Sequence, residues 1–135
     1  MCNYEKLLHD ASMIGLEVKE IQFESDAKGL CKGQKIGIRK DLSDAEKACV
    51  LAEEIGHYYT TVGNILNQKN TENRKQEIKA RKWAVDKILT IEDVFEATEH
   101  PCNNLYEVAE YLGVTEEFLL EALEIFKKRY GHSYT

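Results

Sequence analysis

A chain of 135 residues with 43% hydrophobic and 31% charged residues, eight glycines and one proline matches one domain of about 100–150 residues that buries its core without staples. The composition leaves little room for a disordered tail. No apolar run approaches the ~18–20 residues of a spanning helix, and the opening Met1-Cys2-Asn3-Tyr4-Glu5-Lys6 lacks a signal segment, so a cytoplasmic protein is expected. Net charge is −6 but uneven: residues 1–90 carry 15 Lys+Arg against 14 Asp+Glu, whereas 91–135 carry 3 against 10, a balance that repels phosphate backbones. The widely spaced cysteines Cys2, Cys31, Cys49 and Cys102 form no Cys-x-x-Cys pair, so reduced thiols are expected rather than a zinc knuckle or redox motif.

In chain order, residues 4–13 predict a short helix ended by Gly15, and 16–23 alternate apolar and polar like a half-buried strand. Residues 25–29 read as a turn. Residues 35–40 alternate again and are expected to pair with 16–23, antiparallel because no crossover helix intervenes. Ser43-Asp44-Ala45-Glu46 has the capping-box form and starts a helix running to about Tyr59, with Ala48, Leu51, Ala52, Ile55 and Tyr59 as its apolar stripe. Residues 60–71 read as a loop. A second long helix is predicted over 72–89, with Ala80, Trp83, Ala84, Val85 and Ile88 inside and Arg74, Lys75, Lys79, Arg81 and Lys82 outside. The rest is helical in short pieces, starting at Thr90, at Asn104 (ended by Gly113) and at Thr115 (to about Tyr130).

Chemistry concentrates in Glu53-Glu54-Ile55-Gly56-His57, one residue short of His-Glu-x-x-His, in which two histidines hold zinc and the glutamate activates water. Residues four apart share a helix face, so Glu53 and His57 point into one space with Glu54 about 100° away. A carboxylate ligates zinc at about 2.0–2.2 Å, close to the imidazole distance, so the exchange is chemically sound. Glu77 lies next to the apolar stripe of the second helix, where a charge needs a partner, and the alanines beside it allow close approach. It is the best third ligand. Taken alone, each residue has a plainer reading: adjacent glutamates are common on exposed helix faces, histidines often sit satisfied and half-buried, and Glu77 could pair with Arg81 at i+4. Tyr58, Tyr59 and His100 could donate to an oxyanion, but each reads first as structural.

Two motifs in order decide between these readings. Leu51-Ala52-Glu53-Glu54-Ile55-Gly56-His57, followed by Glu77, Ala80, Trp83 and Ala84 in a Glu-x-x-Ala-x-x-Trp-Ala pattern, resembles the ImmA/IrrE family of small metallopeptidases associated with prophages and mobile elements. The likeness runs from the first helix to about Gly131. It implies a zincin-like fold in which Glu54 is the catalytic base, His57 and Glu77 are metal ligands, and Glu53 stands at the first ligand's position. It also implies zinc as cofactor and a phage-type repressor as protein substrate, cleaved by an anti-repressor activity. Two carboxylates lower the effective charge of the metal, so weaker activation of water and easier acceptance of manganese or iron are expected. In hydrolysis, Glu54 would take a proton from the activated water and return it to the leaving amine.

In the acidic last third, residues 105–115 look like a helix-turn-helix. Its second helix offers Glu116, Glu117 and Glu121 where a groove reader needs Arg, Lys, Asn or Gln, so no direct nucleic-acid binding is expected. Val114, Phe118, Leu119, Ala122, Leu123, Ile125 and Phe126 read first as core and second as a partner-binding stripe. The expected protein is a single domain over 1–135, mostly helical α+β, with an active-site core in 1–90 and an acidic helical part in 91–135. A small antiparallel sheet would pack on the active-site helix. The leading function is a metal-dependent endopeptidase. Its rivals are a catalytically silent member that binds a regulator without cutting it and, behind that, a DNA-binding protein.

Overall fold

The computed structural model describes residues 2–60, 70–100 and 104–131. Among them are helices α1 (Asn3–Met13), α2 (Asp44–Thr60), α3 (Asn70–Ile88), α4 (Ile91–Glu99), α5 (Leu105–Leu112) and α6 (Glu116–Tyr130), with strands β1 (Glu17–Ile21), β2 (Gly29–Lys32) and β3 (Lys35–Arg39) between α1 and α2. The mostly helical α+β class is therefore the observed one. The loop expected over 60–71 falls largely outside the described residues, as does Cys102, while Cys2, Cys31 and Cys49 are free thiols.

Helix starts follow the local signals closely. Ser43 and Glu46 satisfy each other's backbone amides at 3.4 and 3.2 Å, and Thr90 and Asp93 do the same at 2.9 and 3.1 Å. The Asn104 and Thr115 side chains accept from Glu107 and Phe118 amides. Such caps need only four consecutive residues, so they form wherever the sequence carries them.

The sheet corrects the expected antiparallel pairing. Its order is β1-β3-β2, with β1 parallel to β3 (Val18 opposite Ile36) and β2 antiparallel to β3 (Cys31 opposite Ile36). The reason is β2, which begins at the last residue of what reads as the 25–29 turn. The chain crosses from β1 to the far edge, forms β2, and turns back through Gly33 at φ +60° into the central position. A strand thus does the crossing for which a helix seemed necessary. Arg39 holds the crossing segment by donating from Nη1 to the Ser25 and Ala27 carbonyls at 2.6 and 3.1 Å.

One apolar cluster joins all of this: Leu7 and Ala11 of α1, Ile36 and Ile38 of β3, Leu51, Ala52 and Ile55 of α2, Ala84 and Val85 of α3, Val94 of α4, Ala109 of α5, and Phe118, Leu119, Ala122 and Phe126 of α6. Most of the α6 stripe is therefore core, with Leu123 left 36% exposed. Tyr59 departs from expectation: it is 42% exposed and lies over Trp83, ring centroids 5.2 Å apart, instead of entering the core.

The α2–α3 crossing is unusually close. A Cβ on Gly56 would stand 2.5 Å from the Ala80 carbonyl oxygen and 3.1 Å from its Cα, so backbone meets backbone with no side chain between. Gly56→Ala gains about 1 kcal/mol of helix propensity but must push the helices apart, and a net loss of about 1–2 kcal/mol is expected as a lower urea midpoint.

Candidate metal centre

Two helices position the chemistry. In α2, Leu51, Ala52 and Ile55 are buried and fix the helix's rotation, which leaves Glu53, Glu54 and His57 half-buried along its border. In α3, buried Ala80 and Ala84 lie against that helix and set Glu77 one turn before the crossing. His57 Nε2 and Glu77 Oε1 come to 3.3 Å as a result.

Burial dominates the electrostatics of the two adjacent glutamates. Desolvation pushes Glu53 up to about 7 against the opposing pull of Arg81, with Glu121, Glu77 and Glu117 adding to the rise. Glu54 is pushed up to about 7 by desolvation first, then by the charges of Glu53 and Glu77. Strand β2 supplies part of this enclosure. A Cβ on Gly29 would meet Val50 Cγ1 at 2.5 Å and the Glu54 Cγ and Oε2 at 3.3 Å, so the strand packs closely on Val50 with the Glu54 carboxylate beside it.

Glu53 does not join His57 and Glu77. Its Oε1 lies 3.8 Å from Arg81 Nε, and that nitrogen is itself 2.8 Å from Glu121 Oε2 of α6. Among the described residues no three His, Cys, Asp or Glu side chains stand together in a metal-holding group. In chemistry the set fits a divalent cation: one imidazole nitrogen and two carboxylates, with Glu54 beside them as a base. In placement it is part-built, with two donors converged and the third turned toward an arginine. Of the other donors considered, Tyr59 stacks on Trp83, and His100 Nε2 is engaged by the Tyr111 hydroxyl at 2.7 Å.

Arg81 and Glu121 are the residues that sequence reasoning missed. Arg81 reads as an outward lysine-like position, yet its Nε is buried and no acceptor aligns with its N–H, although Glu121 is close in charge. With Glu53, Cys49, Thr115 and Glu117 the two line a cleft of about 120 Å³ between α2, α3 and the start of α6. Nothing in the local sequence marks this, because the partner sits forty positions further along the chain.

A small sheet thus lies beside the Glu-Glu-x-x-His helix, and the following helix brings a glutamate to the histidine; the metallopeptidase class comes from the family to which the chain is matched. The family model described as the IrrE N-terminal-like domain of the M78 peptidases matches residues 13–124, most of the chain, and the protein belongs to this ImmA/IrrE family. No curated protein and no solved structure matches it.

The raised carboxyls set a direction for pH. Both titrate near 4.5 when exposed and near 7 when folded. The folded state therefore binds more protons between those values, and the stability contributed is complete below about pH 4.5 and lost as pH rises through about 7. The metal-free protein should melt at a lower temperature at pH 8 than at pH 5, and Glu54→Gln should flatten that slope in a thermal-melt series.

Proposed function

We propose that this protein is a metal-dependent endopeptidase acting as one domain, with zinc, or manganese or iron in its place, held by His57, Glu77 and Glu53. The single observation carrying this reading is the 3.3 Å approach of His57 Nε2 to Glu77 Oε1 beside the enclosed carboxylate of Glu54, in a chain of the M78 peptidase family. A divalent cation bound there would supply Lewis acidity, polarising a scissile carbonyl and making water easier to ionise. Glu54 would accept a proton from the attacking water at its carboxylate and pass it to the amide nitrogen of the departing strand. The Gly29 backbone of β2 covers one side of that carboxylate and limits access of bulk water.

The substrate we infer is a repressor-type transcription regulator in the cytoplasm, cut in an anti-repressor role at a prophage or mobile element. That part rests on resemblance to the family. No helix among the described residues is long and apolar enough to cross a membrane.

One observation favours a second reading, a silent member that binds its regulator without cutting it: Glu53 faces Arg81 instead of the other two donors. Elemental analysis of the purified protein, before and after exposure to zinc, separates the two. Stoichiometric metal supports the peptidase, and none even after soaking supports the silent binder.

With metal bound, Glu54→Gln should cut hydrolysis of a repressor-type substrate by at least about a hundredfold while metal content stays unchanged; persistent cleavage would place the base elsewhere. Glu77→Ala should weaken zinc binding in a chelator competition by roughly tenfold or more without unfolding the protein, and an unaltered titration would reject Glu77 as a ligand.

A further inference from the structure

Arg81 has no part in the proposed reaction, yet it bridges three helices. It comes from α3 one turn after Glu77, and its guanidinium lies between carboxylates of two other helices, Glu53 of α2 at 3.8 Å and Glu121 of α6 at 2.8 Å. Its Nε is shielded from water, yet no acceptor is aligned with its N–H. A side chain held by hydrogen-bond geometry would not look like this. A cation placed by charge would, because Coulomb attraction is indifferent to the direction of the N–H bond. Arginine also keeps its charge at every physiological pH, so the placement cannot be relieved by losing a proton.

The charges around it are lopsided. Glu53 feels the charges of Glu77 and Glu121, and Glu54 those of Glu53 and Glu77; among the described residues Arg81 is the one Lys or Arg that forms an ion pair with any of these four. It therefore does, for the metal-free protein, part of what a divalent ion would do.

We propose that Arg81, held by Glu121, is a positioning residue that competes with the metal for Glu53. The guanidinium draws the Glu53 carboxylate toward α6 and away from the His57–Glu77 pair, so loading the centre exchanges one cation for another at Glu53. The two contacts differ in a way that makes the exchange workable: the 2.8 Å partner keeps Arg81 in place, while the looser 3.8 Å partner is the one that yields. Glu121 thereby sets how strongly Arg81 grips Glu53. This inference rests on Glu53 being a ligand, as proposed above.

The test is titration of the purified full chain with Zn²⁺ against a competing chelator, read as a dissociation constant and needing no substrate. Arg81→Gln, which keeps much of the stem and removes the charge, should tighten Zn²⁺ binding by roughly tenfold. Glu121→Gln should act in the opposite direction, weakening binding severalfold, because the guanidinium then has Glu53 as its remaining partner. In the Arg81→Gln background the Glu121 effect should largely vanish, which separates action through Arg81 from a general loss of negative charge. Unchanged or weaker binding in Arg81→Gln overturns the proposal, and so does a Glu121→Gln effect that persists in full without Arg81. If Arg81→Gln does not fold, Glu121→Gln decides alone, and unchanged or tighter binding there overturns it. Glu53→Ala distinguishes the two levels: if it weakens Zn²⁺ binding while Arg81→Gln changes nothing, only the competition fails. If Glu53→Ala has no effect, Glu53 is no ligand and both ideas fall. Zn²⁺ binding that appears only in Arg81→Gln supports the proposal, and binding in neither protein overturns it together with the peptidase reading.

Discussion

At Gly56 the backbone of α2 lies so near Ala80 of α3 that a single methyl group would stand 2.5 Å from the carbonyl oxygen opposite. Two helices that touch through backbone at one point cannot slide or rotate there without collision, and interiors packed this tightly have few alternative arrangements. His57 follows Gly56 directly and Glu77 precedes Ala80 by less than a turn, so the meeting of their side chains at 3.3 Å is a geometric consequence of that contact. The buried stripe of α2, from Ala48 to Ile55, fixes the other degree of freedom by deciding which way the helix faces. Small residues at the crossing and large ones along the stripe thus act on different coordinates of the same site.

Charge then acts on what packing has assembled. Burial first and the neighbouring negative charges second make Glu53, Glu54 and Glu121 hold protons more tightly than in water. Where a histidine at position 53 would bring a neutral donor, a glutamate adds one more negative charge and requires an answer from its surroundings. The answer visible here is an arginine anchored from α6. Through Glu121 the acidic C-terminal part therefore reaches the centre, whereas its helix-turn-helix appearance would suggest a separate task.

What could be read from the chain beforehand sorts by the distance over which each feature is decided. The capping residues Ser43, Thr90, Asn104 and Thr115 act within one turn, and the helices they open begin where expected. Glu77 could be singled out because its spacing from Ala80 and Ala84 is local to one helix and because the resemblance carries the same pattern. The order of the sheet could not, since β2 is four residues long and its leading edge reads as a turn. Nor could the orientation of Arg81, because a cation on a mostly polar helix has many plausible partners, and the one it finds depends on how α6 docks. Tyr59 shows the same limit from the apolar side: its spacing fits the stripe of α2, but the ring finds Trp83 outside the core.

The Asn3 side chain donates from Nδ2 to the carbonyls of Leu112 and Gly113, at 3.1 and 3.3 Å, across 109 and 110 positions of sequence. Closing so long a loop carries an entropic cost that local helices avoid. The body of α1 packs on β1 and α2, which follow it closely in the chain, so this one side chain ties an early-formed unit to the late helices.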